Sequence, residues 1–151
     1  MIAIHRATLA DLDTLVPLFD GYRTFYEQPV DSARSRAFLE ARLLRSESVI
    51  FLARLDDGTA AGFTQLYPFF SSVRAARVWV LNDLFVAASA RRRGVANALL
   101  DAATAFARED GAIRLELETT PDNVRAQALY RAAGWQQFDE TLRFRLPLAQ
   151  D

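Results

Sequence analysis

A single α/β domain spanning residues 1–151 is what this sequence predicts, on three observations. The 151-residue chain is 51% apolar, enough for one substantial core and too short for two ordinary catalytic domains. Strand-like alternation and helical stripes follow one another along it. No internal repeat, low-complexity tract or composition break marks a boundary.

Ile2 and Ile4 alternate with Ala3 and His5, which predicts a short opening strand. Thr8 then suits the cap of a helix whose apolar stripe is Leu12, Leu15, Val16 and Phe19, with Asp11 and Asp13 in its first turns. Gly21 is expected to end it. The linker that follows, Tyr22 to Val30, holds Tyr22, Phe25, Tyr26, Glu27 and Pro29. A second helix is expected from about Ser32 to Arg45, burying Phe38, Leu39 and Leu43. Val49 to Leu55 reads as a strand, and Asp56, Asp57 and Gly58 as a hairpin turn. The returning strand, Ala60 to Tyr67, carries Gly62, where another element is expected to pass close. Pro68 is expected to stop it, with Phe69 to Ala76 a turn. Arg77 to Val86 reads as the longest strand. A helix from about Arg92 to Glu109 follows, with Val95, Leu99, Ala103 and Phe106 on one face, then a strand from Ile113 to Thr119. A short helix, Asn123 to Ala132, meets its C-terminal cap at Gly134. Trp135 to Phe138 and Leu142 to Leu148 are expected as two final strands.

Composition excludes several chemistries. The eighteen basic residues are all Arg and face nineteen acidic ones, a balance that argues against broad nucleic-acid binding. The chain has no Cys, hence no disulfide, thiolate nucleophile or Cys-ligated zinc. His5 is the only imidazole, so no multi-histidine metal centre is expected and none is assigned. No apolar run approaches a membrane span, and no basic segment leads an apolar one at the N-terminus. A soluble, cytoplasmic protein is the default expectation.

The strongest local signal is a strand, Leu81 to Val86, leading through Ala87 to Ala90 into Arg91, Arg92, Arg93, Gly94, Val95 and Ala96 at the head of a long helix. Backbone N–H groups at a helix start lack intrahelical acceptors and can point at an anion. Gly94 lets a pyrophosphate approach the backbone, Ala96 keeps the next approach open, and the three arginines add positive charge. The same residues also read as a helix-start glycine beside a solvated basic face. A Walker A loop is excluded for want of Lys, and a dinucleotide fingerprint for want of its three glycines.

The run from Leu84 to Ala96 resembles the acetyl-CoA pyrophosphate motif of the Gcn5-related N-acetyltransferase (GNAT) superfamily. Asn123, Ala126, Leu129, Tyr130, Gly134 and Trp135 resemble its next block at the expected distance. The order of the opening strand, the Thr8 turn and the paired early helices is similar too, so the resemblance covers nearly all of the chain. It implies a mixed, mainly antiparallel central sheet with flanking helices, splayed between the strand ending at Val86 and the one beginning near Ile113. It implies that the pantetheine arm bonds the backbone near Leu84, Phe85 and Val86, and that the pyrophosphate sits on N–H groups from Arg92 to Ala96. Asn123 would meet the cofactor or hold the turn beside it.

The implied reaction is direct attack by a neutral amine on acetyl-CoA in a ternary complex. Tyr130, seven residues and two turns from Asn123, would then protonate the departing thiolate; its other reading is an aromatic anchor. Asp83 and Glu27 are the leading candidates for the base, with Glu116 and Glu118 behind them as residues that can simply face solvent. A bulge, frequent in this superfamily, would change which face Asp83 takes. Tyr22, Phe25, Tyr26, Glu27, Tyr67, Phe69 and Phe70, with Asp83, are candidate walls for a small organic cation, or else packing between the early helices and the sheet. His5 reads as structural. The acceptor expected is a small-molecule primary amine; a protein or peptide amine and a non-catalytic acyl-CoA sensor are the competing readings. The alternating Leu142, Phe144 and Leu146 would allow a homodimer.

Overall fold

The computed structural model describes residues 1–149, in two compact units, Met1–Glu118 and a second that starts at Thr119. In the first unit, β1 (Ala3–Arg6), β2 (Val49–Arg54), β3 (Ala60–Ser71), β4 (Ala76–Val86) and β5 (Arg114–Glu116) form one sheet in that spatial order. All pairs are antiparallel except β4 with β5. Helices α1 (Leu12–Phe25) and α2 (Ser32–Leu44) lie between β1 and β2 in sequence, and α3 (Val95–Glu109) between β4 and β5. This is the mixed, mainly antiparallel architecture expected.

Each face of the sheet has its own core. On one, Leu12, Leu15, Val16 and Phe19 of α1 and Leu39 of α2 pack with Ile50, Leu52 and Phe63. On the other, Phe106 of α3 meets Phe51 and Trp79 edge-on, beside the buried stripe Val95, Leu99, Leu100, Ala103 and Ala107. Burying such side chains stabilises the fold by roughly 1.5–3 kcal/mol each. Thr8 and Asp11 form a reciprocal capping box, with the Thr8 N–H donating to Asp11 Oδ2 at 2.9 Å; it caps a 3₁₀ turn, Leu9–Asp11, that leads into α1.

Several boundaries and one burial differ from expectation, each for a local reason. Helix α1 runs through Gly21 to Phe25; a Cβ there would lie 3.1 Å from Cζ of Phe85, so this glycine admits β4 rather than ending the helix. Strand β3 runs through Pro68 to Ser71, because its pairing with β2 has already ended at Leu66 and the proline sits on an edge. The expected turn therefore shrinks to 72–75, and Phe69 and Phe70 lie in the strand. Phe38 is exposed rather than buried, stacked on Phe19 at 5.5 Å. Helix α3 starts at Val95, not Arg92, since Arg92 and Gly94 both take left-handed backbone (φ +63° and +80°).

Strand β5 is shorter than expected. It pairs with β4 only from Val78 to Val80, so the Leu81–Val86 stretch of β4 continues without a β5 partner, which is the splay.

In the second unit, α4 (Val124–Ala132) is capped by Asn123, whose side chain accepts from the Ala126 N–H at 3.3 Å. Gly134 follows it at φ +93°, in the left-handed conformation that ends helices. The strands expected at 135–138 and 142–148 do not form. Leu142, Phe144, Leu146 and Leu148 are exposed, and alternation without a ladder partner makes no backbone bonds. Among the described residues no helix is long and apolar enough to cross a membrane.

A Cβ on Gly62 would lie 2.4 Å from the Phe85 carbonyl oxygen, the close approach expected there. Gly62→Ala is expected to cost about 1–3 kcal/mol, read as a lower urea midpoint at unchanged slope. An unchanged midpoint would contradict the packing.

Candidate active site

The site is built on one irregularity in β4. Gln65 faces Asp83 and Leu66 faces Leu81, leaving Asn82 as an extra residue in the ladder. An inserted residue reverses the alternation beyond it. Before the bulge, Trp79 points at Phe106 of α3. After it, Phe85 meets Phe63 and Gly21, and Asp83 meets Tyr22 of α1. The bulge thus turns the Asp83 side chain away from α3 and toward α1. Thr64 reinforces it from the neighbouring strand, its hydroxyl donating to the Asp83 carbonyl at 2.7 Å.

Asp83 is 2% exposed. Its Oδ1 accepts from Asn82 Nδ2 at 2.8 Å and its Oδ2 from Gln65 Nε2 at 2.6 Å. Both partners are neutral. Burial pushes its carboxyl above the ordinary aspartate value, against the opposing pull of Asn82, Gln65 and Tyr22. The Tyr22 hydroxyl donates to the Asn82 carbonyl at 3.2 Å. Burial first, and the Asp83 charge second, push the phenols of Tyr22, Tyr26 and Tyr67 above their usual value, so all three remain protonated at neutral pH. A buried carboxylate with three phenols around it can hold a cation and accept a proton from it.

The tyrosine-bearing end of α1 is fastened to α2. Buried Asp20 accepts from the Asp31 N–H at 3.2 Å and from Ser35 Oγ at 2.9 Å. Tyr22 and Tyr26 pack edge-to-face at 5.2 Å, and Phe25 stands edge-on to Tyr26 at 5.1 Å.

At the end of β4 a 3₁₀ turn, Ala88–Ala90, leads to Arg91, whose Nε approaches the Val86 carbonyl at 3.4 Å. The left-handed Gly94 caps α3, and a Cβ on it would meet nothing within 4 Å. The first bond to Gly94 is Ala98 N–H to its carbonyl at 3.1 Å. The N–H groups of Gly94, Val95, Ala96 and Asn97 therefore precede the intrahelical ladder. Arg91, Arg92 and Arg93 are exposed. The open approach, free amide donors and positive charge fit an anion such as a pyrophosphate.

Of the residues expected in the pocket, Tyr22, Tyr26, Tyr67 and Asp83 come together. Glu27 follows α1 in left-handed backbone and is exposed. Phe69 and Phe70 lie exposed on the β3–β4 hairpin, with Arg77 over the Phe70 ring at 4.5 Å. Glu116 pairs with Arg114 at 2.6 Å. His5 contacts Asp11 Oδ1 at 3.2 Å, a structural role as expected. Leu84, Phe85 and Val86 are half-buried on the splayed stretch. In the second unit, Asn123 is the cap of α4, and Tyr130 packs on Trp135 at 6.1 Å. Sequence reasoning missed Gln65 and Asn82. The available signal was a glutamine inside the apolar strand around Phe63 and Leu66, since a buried amide needs partners.

The model of the acetyltransferase (GNAT) family matches residues 15–135. The chain is 45% identical over 134 residues to the uncharacterized N-acetyltransferase YhfO of Bacillus subtilis (strain 168), covering 89% of each chain. The crystal structure of a probable acetyltransferase is similar with a TM-score of 0.94 and 46% identity, over 99% of each chain. An aminoglycoside N(6')-acetyltransferase type 1 of Stenotrophomonas maltophilia is 28% identical, over 96% of this chain and 93% of its own length.

The raised Asp83 carboxyl has a sign that equilibrium unfolding can read. Its folded value lies above the ordinary 3.8, so between the two the folded chain holds a proton that the unfolded chain has lost. Its contribution to stability therefore falls as pH rises through that window and is flat above it. Urea unfolding of wild type and Asp83→Asn across this range is expected to show wild type losing stability relative to the variant. A pH-independent difference would contradict the burial argument.

Proposed function

From the premise that this chain belongs to the GNAT acetyltransferase family and is an acetyltransferase enzyme, we propose that it acetylates the primary amine of a small organic cation, with acetyl-CoA as donor. The observation that carries the amine is Asp83: a carboxylate buried under Tyr22, Tyr26 and Tyr67 whose hydrogen-bond partners are neutral. A buried charge without a counter-charge is costly, and an incoming ammonium group supplies one. The similarity to an aminoglycoside N(6')-acetyltransferase, whose name states an amine-bearing small molecule, supports the same acceptor class.

Acetyl-CoA supplies the acetyl thioester, which the amine takes by direct attack in a ternary complex. In this reading the N–H groups at Gly94, Val95 and Ala96, with Arg91, Arg92 and Arg93, hold the pyrophosphate, and the edge of Leu84, Phe85 and Val86 that faces away from β3 and lies beyond the β5 pairing receives the pantetheine arm. Asn123 borders the cofactor. The aromatic faces of Tyr22, Tyr26 and Tyr67 hold the cation while Asp83 Oδ takes its proton, leaving the nitrogen lone pair free. Glu27 and Phe25, beside Tyr26, border the entry of the acceptor. The Tyr130 hydroxyl donates a proton to the departing thiolate, and the second proton that the nitrogen sheds as the amide forms restores the phenol.

The test is release of CoA by purified protein with polyamines, amino acids, aminoglycosides and short peptides. Amine-dependent release with a small cationic amine is expected; release with peptides alone would overturn the acceptor class, and acetyl-CoA binding without amine-dependent release would indicate a sensor. With the best amine, Tyr130→Phe is expected to lower kcat about a hundredfold or more while acetyl-CoA affinity stays near wild type. Unchanged turnover would remove Tyr130 from the acid role.

A further inference from the structure

Gln65 is fully buried on β3, directly opposite Asp83 in the ladder. A buried amide costs free energy that Leu or Met would not, yet Gln65 uses both ends of its side chain. Nε2 donates to Asp83 Oδ2 at 2.6 Å, and Oε1 accepts from the hydroxyl of buried Ser48 at 2.8 Å. The direction follows from chemistry: an ionised carboxylate only accepts, so the amide must turn its NH₂ toward Asp83, and its oxygen then needs a donor, which a serine hydroxyl is. The chain therefore runs one way, Ser48 to Gln65 to Asp83. The groups facing Asp83 from the other elements are Tyr22 of α1, Tyr26 at its C-terminal cap, Tyr67 of β3 and Asn82 of its own strand, with Arg42 of α2 acting on Tyr67.

We propose that Gln65, held by Ser48, is a positioning residue for acetyl transfer: it aims the Asp83 carboxylate at the amine and favours its charged form. Donors to the charged form oppose the burial that favours the proton. Burial raises the Asp83 carboxyl above the ordinary aspartate value, and the Gln65 amide pulls it back the other way. Ser48 acts one step further away by fixing which end of the amide Asp83 meets. This inference rests on the reading of Asp83 as the base.

Gln65→Leu and Ser48→Ala test it, with Asp83→Asn as the reference. Two quantities are read in each: the ¹³C NMR titration of the Asp83 carboxyl carbon, assigned by its loss in Asp83→Asn, and the acid limb of the kcat/KM profile against pH. Gln65→Leu removes a donor to the charged form, so its titration and acid limb are expected to move together to higher pH by about one to two units. Ser48→Ala is expected to move both the same way by a smaller step, with KM for acetyl-CoA unchanged in each. If Asp83→Asn abolishes the limb but neither variant moves the titration, the positioning role is wrong and the base reading survives. If Asp83→Asn keeps the wild-type limb, the base reading fails and this proposal with it.

Discussion

The single inserted residue at Asn82 governs what β4 can do. A strand shows alternate residues to opposite faces, and Trp79, on the α3 side, would carry Leu81 and Asp83 with it in a regular ladder. There a carboxylate would share the apolar layer of Phe51, Phe106 and Leu99. The bulge instead sends Asp83 and Phe85 to the α1 face. The interruption exposes backbone groups, and the surrounding side chains answer them: Thr64 donates to the Asp83 carbonyl and Tyr22 to that of Asn82. The irregularity is consequently part of a hydrogen-bonded whole.

The same strand leads into the arginine-rich loop at the head of α3. Beyond Val80 it has no β5 partner, and beyond Val86 the left-handed residues Arg92 and Gly94 delay the start of α3 until Val95. A non-glycine residue in left-handed backbone costs of order 1 kcal/mol. With α3 starting at Val95, the amides that precede its ladder are those of Gly94 to Asn97. β4 thereby links a buried carboxylate, an edge that β5 leaves open and the head of α3 in one covalent run.

Much of this was legible in the residues. Periodicity located all five strands and four helices of the described fold; the stripes of α1, β2, β3 and α3 are buried, and Thr8 and Asn123 mark helical starts by capping. The loop was legible because glycine and arginine cluster at a strand-to-helix junction. What escaped depends on contacts between distant residues. Gly21 looks like a helix end until Phe85 is seen against it; Pro68 looks like a strand end until β2 is seen to stop first. A bulge beside Asp83 is expected from the resemblance, but Asn82 carries no local mark of the insertion, since only register against Gln65 and Leu66 places it. Alternation at Leu142, Phe144 and Leu146 misled in the opposite direction, as a pattern without a ladder.

In the proposed reaction the bulge delivers Asp83 to the amine as its proton acceptor. The direct measurement is kcat of Asp83→Asn against wild type at saturating acetyl-CoA and the preferred amine, with acetyl-CoA affinity measured alongside. A fall of about a hundredfold or more in kcat at unchanged acetyl-CoA affinity is predicted. Wild-type turnover in the variant would contradict the account.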